Sequence, residues 1–313
     1  MANCFSFTAT KDRCYRFSFA RAGLKSTTTE LGEGTVIHCW APKKHKDGKP
    51  ALLLIHGFGA NAMWQWDYYI NLLIRTFNVY VPDLVFFGDS YTTRPDRTEA
   101  FQAQCLMSLM KGFGVQRMNA AGISYGGFVA YSLAAQFPAS VEKVVLCSAG
   151  VCLEEKDMAD GLFVVNSVKE AASILLPQTP EKMRELIRLS FFKPIKHVPS
   201  CFLDDYIHVM CTEFIEEKNQ LLEALIKDRK LADLPKITQP TLIIWGEEDK
   251  IFPLPLAHRL KTNLGDNAQL VIIKEAGHGV YLEKTKEVLK HMKRFLVESG
   301  PSCGSSSNGA NAV

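Results

Sequence analysis

Short apolar segments alternate with helix-like stretches along much of the chain. Most of these segments are apolar throughout, which is typical of strands buried on both faces of a parallel sheet. The predicted strands are residues 35–40, 51–56, 77–81, 118–121, 141–147, 241–245 and 269–273. The alternation predicts an α/β protein with a mostly parallel central sheet flanked by helices.

The alternation stops between residues 152 and 233, where strand signals vanish and apolar residues follow helical spacing. We interpret this segment as a helical insertion laid over the sheet. The predicted organisation is an N-terminal extension at 1–32, a core at 33–151 and 234–298, the insertion at 152–233, and a tail at 299–313. The tail is rich in Gly, Ser and Asn, a composition that predicts disorder.

Charge and composition exclude several classes of protein. The net charge of the 313 residues is only +3 and basic residues are scattered, so we expect no nucleic-acid partner. No apolar stretch approaches the roughly 18 to 20 residues of a membrane-spanning helix. The chain start lacks the pattern of a secretory signal, although its Arg, Ser and Thr content leaves an organelle transit peptide open. Nine cysteines without a Cys-x-x-Cys pair favour reduced thiols and a cytoplasmic protein over disulfides or a metal site.

Ser124 lies in the pattern Gly-x-Ser-x-Gly, where a predicted strand runs directly into a helix. Such a sharp turn crowds the serine backbone, and glycines two residues before and after relieve the crowding. The turn would present the hydroxyl beside a helix N-terminus, which favours developing negative charge. A glycine-rich packing turn with an inert serine would show the same pattern, so Ser124 is a candidate nucleophile.

A serine nucleophile needs a base, and the base needs an acid that orients it. His278 is the best base among the eight histidines, because it follows a strand and lies in a loop between two glycines. His56 is better suited to bracing the loop that follows it. Asp249 follows the strand at 241–245 and is the candidate acid. The chain order Ser124, Asp249, His278 matches one of the known orders of a catalytic triad.

Hydrolysis of an ester develops negative charge on a carbonyl oxygen, which two preorganised N–H donors stabilise. The loop after the strand at 51–56 contains glycines that allow its backbone to approach a ligand closely. We assign this oxyanion hole to the backbone N–H groups of Phe58 and Tyr125, with Gly59 as the nearest alternative to Phe58.

Four motifs together resemble the α/β-hydrolase superfamily. They are His-Gly-Phe-Gly at 56–59, Gly-Ile-Ser-Tyr-Gly-Gly at 122–127, Trp-Gly-Glu-Glu-Asp-Lys-Ile-Phe-Pro at 245–253 and Gly-His-Gly-Val-Tyr-Leu-Glu at 277–283. More narrowly, the chain is similar to plant monoacylglycerol-lipase-like and carboxylesterase-like members. The resemblance implies a serine hydrolase with an eight-stranded type of sheet, a helical cap at 152–233, and no metal or organic cofactor.

The predicted insertion is rich in large apolar residues, some of which should line a cavity. We expect an apolar acyl or lipid-like ester as substrate. The predicted substrate-binding residues are Trp64, Phe86, Phe87, Phe191 and Phe192. Phe86 and Phe87 depart from the family pattern, since many relatives have small or polar residues there. Lys193 and Lys196 leave peripheral membrane contact open, although a solvated edge is the favoured interpretation.

Two alternatives share these motifs. The same triad could hydrolyse a carbon–carbon bond in a vinylogous diketone, or the fold could serve a ligand receptor. Ester hydrolysis is the favoured interpretation, and the motifs do not specify the natural substrate, the acyl length or the oligomeric state.

Overall fold

A central sheet lies between two layers of helices in the computed structural model, which describes residues 6–298. The predicted α/β fold is confirmed, whereas the tail predicted to be disordered lies outside the described residues. The strands are β1 Leu24–Gly32, β2 Thr35–Pro42, β3 Ala51–Ile55, β4 Asn78–Pro82, β5 Tyr91–Thr92, β6 Met118–Ile123, β7 Val141–Cys147, β8 Thr241–Gly246 and β9 Ala268–Ile273. The helices are α1 Phe7–Arg21, α2 Ala62–Leu73, α3 Glu99–Gly112, α4 Tyr125–Gln136, α5 Lys156–Ala159, α6 Val168–Leu175, α7 Pro180–Ser190, α8 Ser200–Met210, α9 Ile215–Ile226, α10 Pro255–Leu264, α11 Val280–Glu283 and α12 Thr285–Val297.

The strand order across the sheet is β1-β2-β4-β3-β6-β7-β8-β9, with β5 paired to β2. The six adjacent strands β4, β3, β6, β7, β8 and β9 pair in parallel with one another. Strand β2 is antiparallel to its partners β1, β4 and β5. All seven predicted strands are present, with ends within two residues of the predicted ones. The described chain has nine strands, two more than the seven predicted and one more than the resemblance implies, because the apolar pattern did not reveal β1 and β5.

The predicted boundary at residue 33 is wrong, because it separates β1 from its partner. Residues 24–32 form an antiparallel hairpin with β2 and belong to the sheet. The strand LKSTTTELG is polar and its side chains alternate in exposure, as expected of an edge strand. An apolar-run criterion finds only strands that are buried on both faces, so it overlooks this one.

Alternate residues of each central strand enter different layers of the core. In β3, Leu52 and Leu54 pack with helices α1, α2 and α12, while Leu53 and Ile55 pack with α3, α4 and α10. Side chains of a strand alternate between the two faces of a sheet. A strand covered on both faces must therefore be apolar at every position, which explains the uninterrupted apolar runs.

Between β7 and β8 the chain forms helices α5 to α9 and a short 3-10 turn, and we call residues 152–233 the helical insert. Leu221 and Leu225 of α9 join the core on the α3–α4 side of the sheet. Met183 of α7 and Leu203 and Ile207 of α8 form a separate small apolar cluster. Met158 of α5 and Ile174 of α6 join the same core, so several helices anchor the insert while α7 and α8 pack partly upon each other.

The loops that follow β3, β6, β8 and β9 leave the sheet at the same edge. These strands lie side by side in parallel with only β7 between β6 and β8, so their carboxyl ends are neighbours. Ligands of open parallel sheets bind beyond these ends. Among residues 6–298, no helix combines the length and apolar character that a membrane crossing requires.

Candidate active site

Ser124 occupies a strained turn between β6 and α4. Its φ of 52° and ψ of −121° lie in a region that residues with a side chain rarely adopt. A Cβ atom at Gly122 would collide with the backbone of Gly126, and one at Gly126 would collide with the carbonyl oxygens of Ile55 and His56. Only glycines fit around this turn, which is the steric reason for the Gly-x-Ser-x-Gly pattern.

His278 and Asp249 reach Ser124 from the loops after β9 and β8. The Ser124 Oγ lies 2.9 Å from His278 Nε2, and His278 Nδ1 lies 2.9 Å from Asp249 Oδ2. The Asp249 carboxylate is buried and also accepts backbone N–H bonds from Ile251 and Phe252 at 2.9 and 2.8 Å. The structure therefore brings together all three residues that the sequence singled out.

The hydrogen bonds define the proton positions of this set. A carboxylate only accepts hydrogen bonds, so Nδ1 of His278 carries the proton that it donates to Asp249. The lone pair of Nε2 then faces the Ser124 hydroxyl, which donates to it. This arrangement can remove the serine proton as the oxygen attacks an electrophile.

The loop that carries His278 packs tightly against the helical insert. A Cβ at Gly279 would lie 2.7 Å from the Phe191 ring, and the Gly279 N–H donates to the carbonyl of Ser190 at 2.7 Å. Glu283 joins the two segments, since its carboxylate accepts the N–H groups of Gly277 at 2.7 Å and Phe192 at 2.9 Å. We did not predict this role for Glu283, although it ends one of the four motifs.

The glycine-containing loop after β3 is held by Gln65 and His56. Gln65 Oε1 accepts the Gly57 N–H at 2.8 Å, while Nε2 donates to the carbonyls of Gly57 and Phe58 at 3.0 Å. His56 Nε2 accepts the Leu84 N–H at 2.9 Å, so Nδ1 is protonated and donates to the Gly57 carbonyl at 2.7 Å. Burial lowers the pKa of His56, which favours this neutral form. The bracing role suggested for His56 is present, and the role of Gln65 was missed.

The backbone N–H groups of Phe58 and Tyr125 donate no hydrogen bond to another described residue. Their side chains pack against each other, with ring centroids 5.0 Å apart. Tyr125 is the first residue of α4, where backbone N–H groups lack intrahelical acceptors. Both donors are thus available to a ligand next to Ser124.

A cavity of about 370 Å³ opens onto Ser124 and His278. Its wall is mostly apolar and comes from the β3 loop, α1, α2 and the helical insert. Trp64 and Phe191, two of the five predicted substrate-binding residues, line it together with Leu186, Ile187 and Leu203. The arrangement is that of a ligand pocket: an apolar wall with a few polar groups at one end.

The other three predicted wall residues, Phe86, Phe87 and Phe192, do not line this cavity. Phe86 and Phe87 are buried beside a different, more polar cavity. The Arg97 guanidinium stacks on the Phe86 ring at 4.6 Å. The ammonium of Lys193 lies over the Phe192 ring at 5.3 Å. Adjacent residues of an irregular segment point in different directions, so Phe191 enters the cavity without Phe192.

Helix α1 contributes to the cavity, although its residues were predicted only to form an N-terminal extension. Phe7 and Thr8 line the same cavity as Ser124. The helix begins after Ser6, whose hydroxyl accepts the Ala9 N–H at 3.0 Å and caps the first turn. The serine followed by a helix-compatible segment was the signal that could have revealed this element.

A second Ser–His–Asp set joins β1, β2 and the residue that follows β4. Ser26 Oγ is 2.8 Å from His38 Nε2, and His38 Nδ1 is 2.8 Å from Asp83 Oδ2. Asp83 also accepts the Ala62 N–H that begins α2, at 2.8 Å. Ser26 and His38 do not line the cavity around Ser124.

A sequence model of the Alpha/beta hydrolase family matches residues 52–291. This range contains the β3 loop, the Ser124 turn, Asp249 and His278. The chain belongs to the alpha/beta hydrolase family. The resemblance predicted from the four motifs is confirmed.

Known relatives of this hydrolase include lipases. The chain is 27% identical over 279 residues to Monoacylglycerol lipase ABHD6 of Mus musculus, which covers 82% of this chain and 79% of that protein. A putative lipase from Acinetobacter baumannii has a TM-score of 0.78 and 25% identity, covering 91% of this chain and 95% of its own. The structure of a bacterial membrane phospholipase A has a TM-score of 0.73 and 25% identity, and the match covers 92% of this chain and 89% of the phospholipase chain.

Proposed function

We propose that this hydrolase cleaves carboxylic esters with an apolar, lipid-like acyl chain. Ser124 Oγ attacks the ester carbonyl while His278 Nε2 takes the serine proton. His278 then delivers this proton to the departing alcohol, leaving Ser124 acylated. A water molecule, deprotonated by His278, releases the acid and restores the serine.

The remaining parts of the site stabilise the charges of this reaction. Asp249 holds His278 in the required tautomer and stabilises the imidazolium that forms. The N–H groups of Phe58 and Tyr125 bind the oxyanion, and the N-terminus of α4 favours the same charge. Gln65 and His56 keep the Phe58 loop in place, so these donors need no reorganisation during the reaction.

The character of the cavity supports an apolar acyl group. Its wall is mostly apolar, and it extends from Ser124 along helices α7 and α8 of the helical insert, which we propose acts as a cap. The monoacylglycerol lipase and lipase names of the relatives agree with such a substrate. A monoacyl ester with a small polar alcohol fits this combination, because the alcohol can leave into water.

The hydrogen-bonded Ser124–His278–Asp249 set at the end of an apolar cavity carries this proposal. The test is incubation of the purified protein with monoacylglycerols and simple esters, with chemical identification of the products. We expect release of free fatty acid, and labelling of Ser124 by a fluorophosphonate that peptide mapping can locate. Labelling of another residue would contradict the assignment.

The product analysis also separates the two alternatives. Cleavage of a vinylogous diketone without ester hydrolysis would indicate carbon–carbon chemistry. Release of no more than one product molecule per protein would indicate a receptor. Repeated turnover of an ester contradicts both.

A further inference from the structure

Helix α1 lies outside the residues that match the family model, yet it borders the catalytic cavity. The family match begins at residue 52, whereas α1 spans Phe7–Arg21. Phe7 packs edge to face on Phe202 of α8, with ring centroids 5.6 Å apart and an interplanar angle of 86°. Both rings line the cavity that contains Ser124.

The two rings are positioned at the boundary between the cavity and solvent. Phe7 is 54% exposed and Phe202 is 47% exposed, whereas Met183 and Leu203 of the same wall are only 5% exposed. Residues deep in the cavity wall are shielded, while residues that face both water and the cavity belong to its mouth. Phe7 and Phe202 therefore form an apolar pair at the cavity mouth.

Polar and aromatic contacts fix α1 in this position. The Thr8 N–H donates to Asp205 Oδ2 of α8 at 2.7 Å, and Trp64 Nε1 of α2 donates to Asp12 Oδ1 at 3.0 Å. The Tyr15 ring packs on Trp64 with centroids 5.2 Å apart. Helix α1 is thus joined both to α8 of the helical insert and to α2, which follows the loop after β3.

We infer that Phe7 and Phe202 form the entrance for the substrate's acyl chain and make the enzyme selective for long chains over short ones. This inference rests on the proposed ester hydrolysis at Ser124. A long acyl chain removes the exposed ring surface from water as it passes the mouth, which gives it binding free energy that a short chain does not gain. A butyryl chain has far less apolar surface to place against these rings, so it gains correspondingly less from them.

The chain offers a matched control for Phe7 in Phe17. Both belong to α1 and both are exposed, Phe17 to 67%, but Phe17 lines a shallow surface depression with Arg21 and Arg75 instead of the catalytic cavity. Substitution of either residue by alanine removes the same group from the same helix. Only Phe7→Ala changes the cavity mouth.

The experiment compares p-nitrophenyl butyrate with p-nitrophenyl dodecanoate. We expect Phe7→Ala to lower kcat/KM for the dodecanoate about fivefold, as expected for loss of a half-exposed aromatic contact, and to leave the butyrate within about twofold. Phe17→Ala should change neither ester, and Phe7→Leu should restore most of the lost selectivity. Phe202→Ala should reproduce the Phe7→Ala result from the opposite side of the mouth.

Equal effects of Phe7→Ala and Phe17→Ala on the dodecanoate would overturn the inference. So would an equal fall for both esters accompanied by a lower Tm, because the pair would then serve only to hold α1 in place. Calorimetric binding of dodecanoate anion to the Ser124→Ala variant gives a readout that does not depend on catalysis. In the Ser124→Ala background, Phe7→Ala should raise the Kd for dodecanoate about fivefold. An unchanged Kd would contradict the proposal that Phe7 contacts the acyl chain at the cavity mouth.

Discussion

The molecule contains two Ser–His–Asp sets with nearly the same internal distances. In the Ser124 set the two hydrogen bonds are 2.9 Å long, and in the Ser26 set both are 2.8 Å. In each, a carboxylate accepts from Nδ1 and leaves the Nε2 lone pair facing a serine hydroxyl. Short distances and the correct tautomer are therefore not what distinguishes the two.

Their surroundings differ in every feature that stabilises a transition state. Ser124 lies on a strained turn at the N-terminus of α4, beside free N–H donors and a cavity. Ser26 lies within the extended edge strand β1, which continues to Gly32 without a helix start. His38 and Asp83 are buried and link β1 to the start of α2. We propose that the first set is arranged for chemistry and that the second holds the edge of the sheet.

The largest expected effect separates the two serines. Ser124→Ala should lower kcat by a factor on the order of 10⁶, because the nucleophile is lost. Ser26→Ala should leave kcat within about twofold. Steady-state hydrolysis of a soluble ester by both variants measures the difference, and a large loss in Ser26→Ala would break the comparison.

The two carboxylates provide the next contrast. Asp249→Asn should lower kcat about 10⁴-fold, because the amide favours the wrong tautomer of His278. Asp83→Asn should keep kcat within about tenfold, since Asp83 does not contact the reacting groups. Its main effect should be a lower Tm, because an amide cannot accept from both His38 and Ala62 as a carboxylate does. Kinetics and thermal unfolding of the pair provide the measurement.

A substitution at Gln65 tests whether the loop after β3, which lies beside Ser124, contributes to the rate of the reaction. Gln65→Glu keeps an acceptor for the Gly57 N–H but removes the donor to the carbonyls of Gly57 and Phe58. We expect kcat to fall between about 10-fold and 100-fold through displacement of the loop after β3, with a smaller change in KM. If Gln65 only stabilised the fold, its substitution would lower Tm at constant kcat. That result would contradict a role of Gln65 in positioning the N–H donor of Phe58.

A small effect on activity and a larger one on stability are expected at His38. His38→Phe fills the space of the imidazole but leaves the buried Asp83 without one of its donors. We expect the free energy of unfolding to fall by about 2 kcal/mol, with kcat changed less than about threefold. Urea denaturation of the variant gives the stability. A stable but inactive variant would show that the second set has a catalytic role after all.

Much of the fold and the central residues of the site could be predicted because they depend on local rules. Strands covered on both faces must be apolar throughout, so their positions were readable in the sequence. The position of the polar edge strand β1 could not be predicted in this way, because its sequence of exposed and buried side chains depends on its pairing with β2 and on contact with solvent. Ser124 was identifiable because a strained strand-to-helix turn demands glycines at fixed offsets.

The sequence by itself determined where the sheet runs and which serine occupies a strained turn, because both follow from steric constraints between neighbouring residues. Only the tertiary structure decided which aromatic residues line the cavity: Trp64 and Phe191 enter it, while Phe86, Phe87 and Phe192 do not. It also placed α1 beside the cavity and showed that only one of the two Ser–His–Asp sets opens onto that cavity. Cavity walls and site surroundings are assembled from segments distant in the chain, so their packing has no local signature.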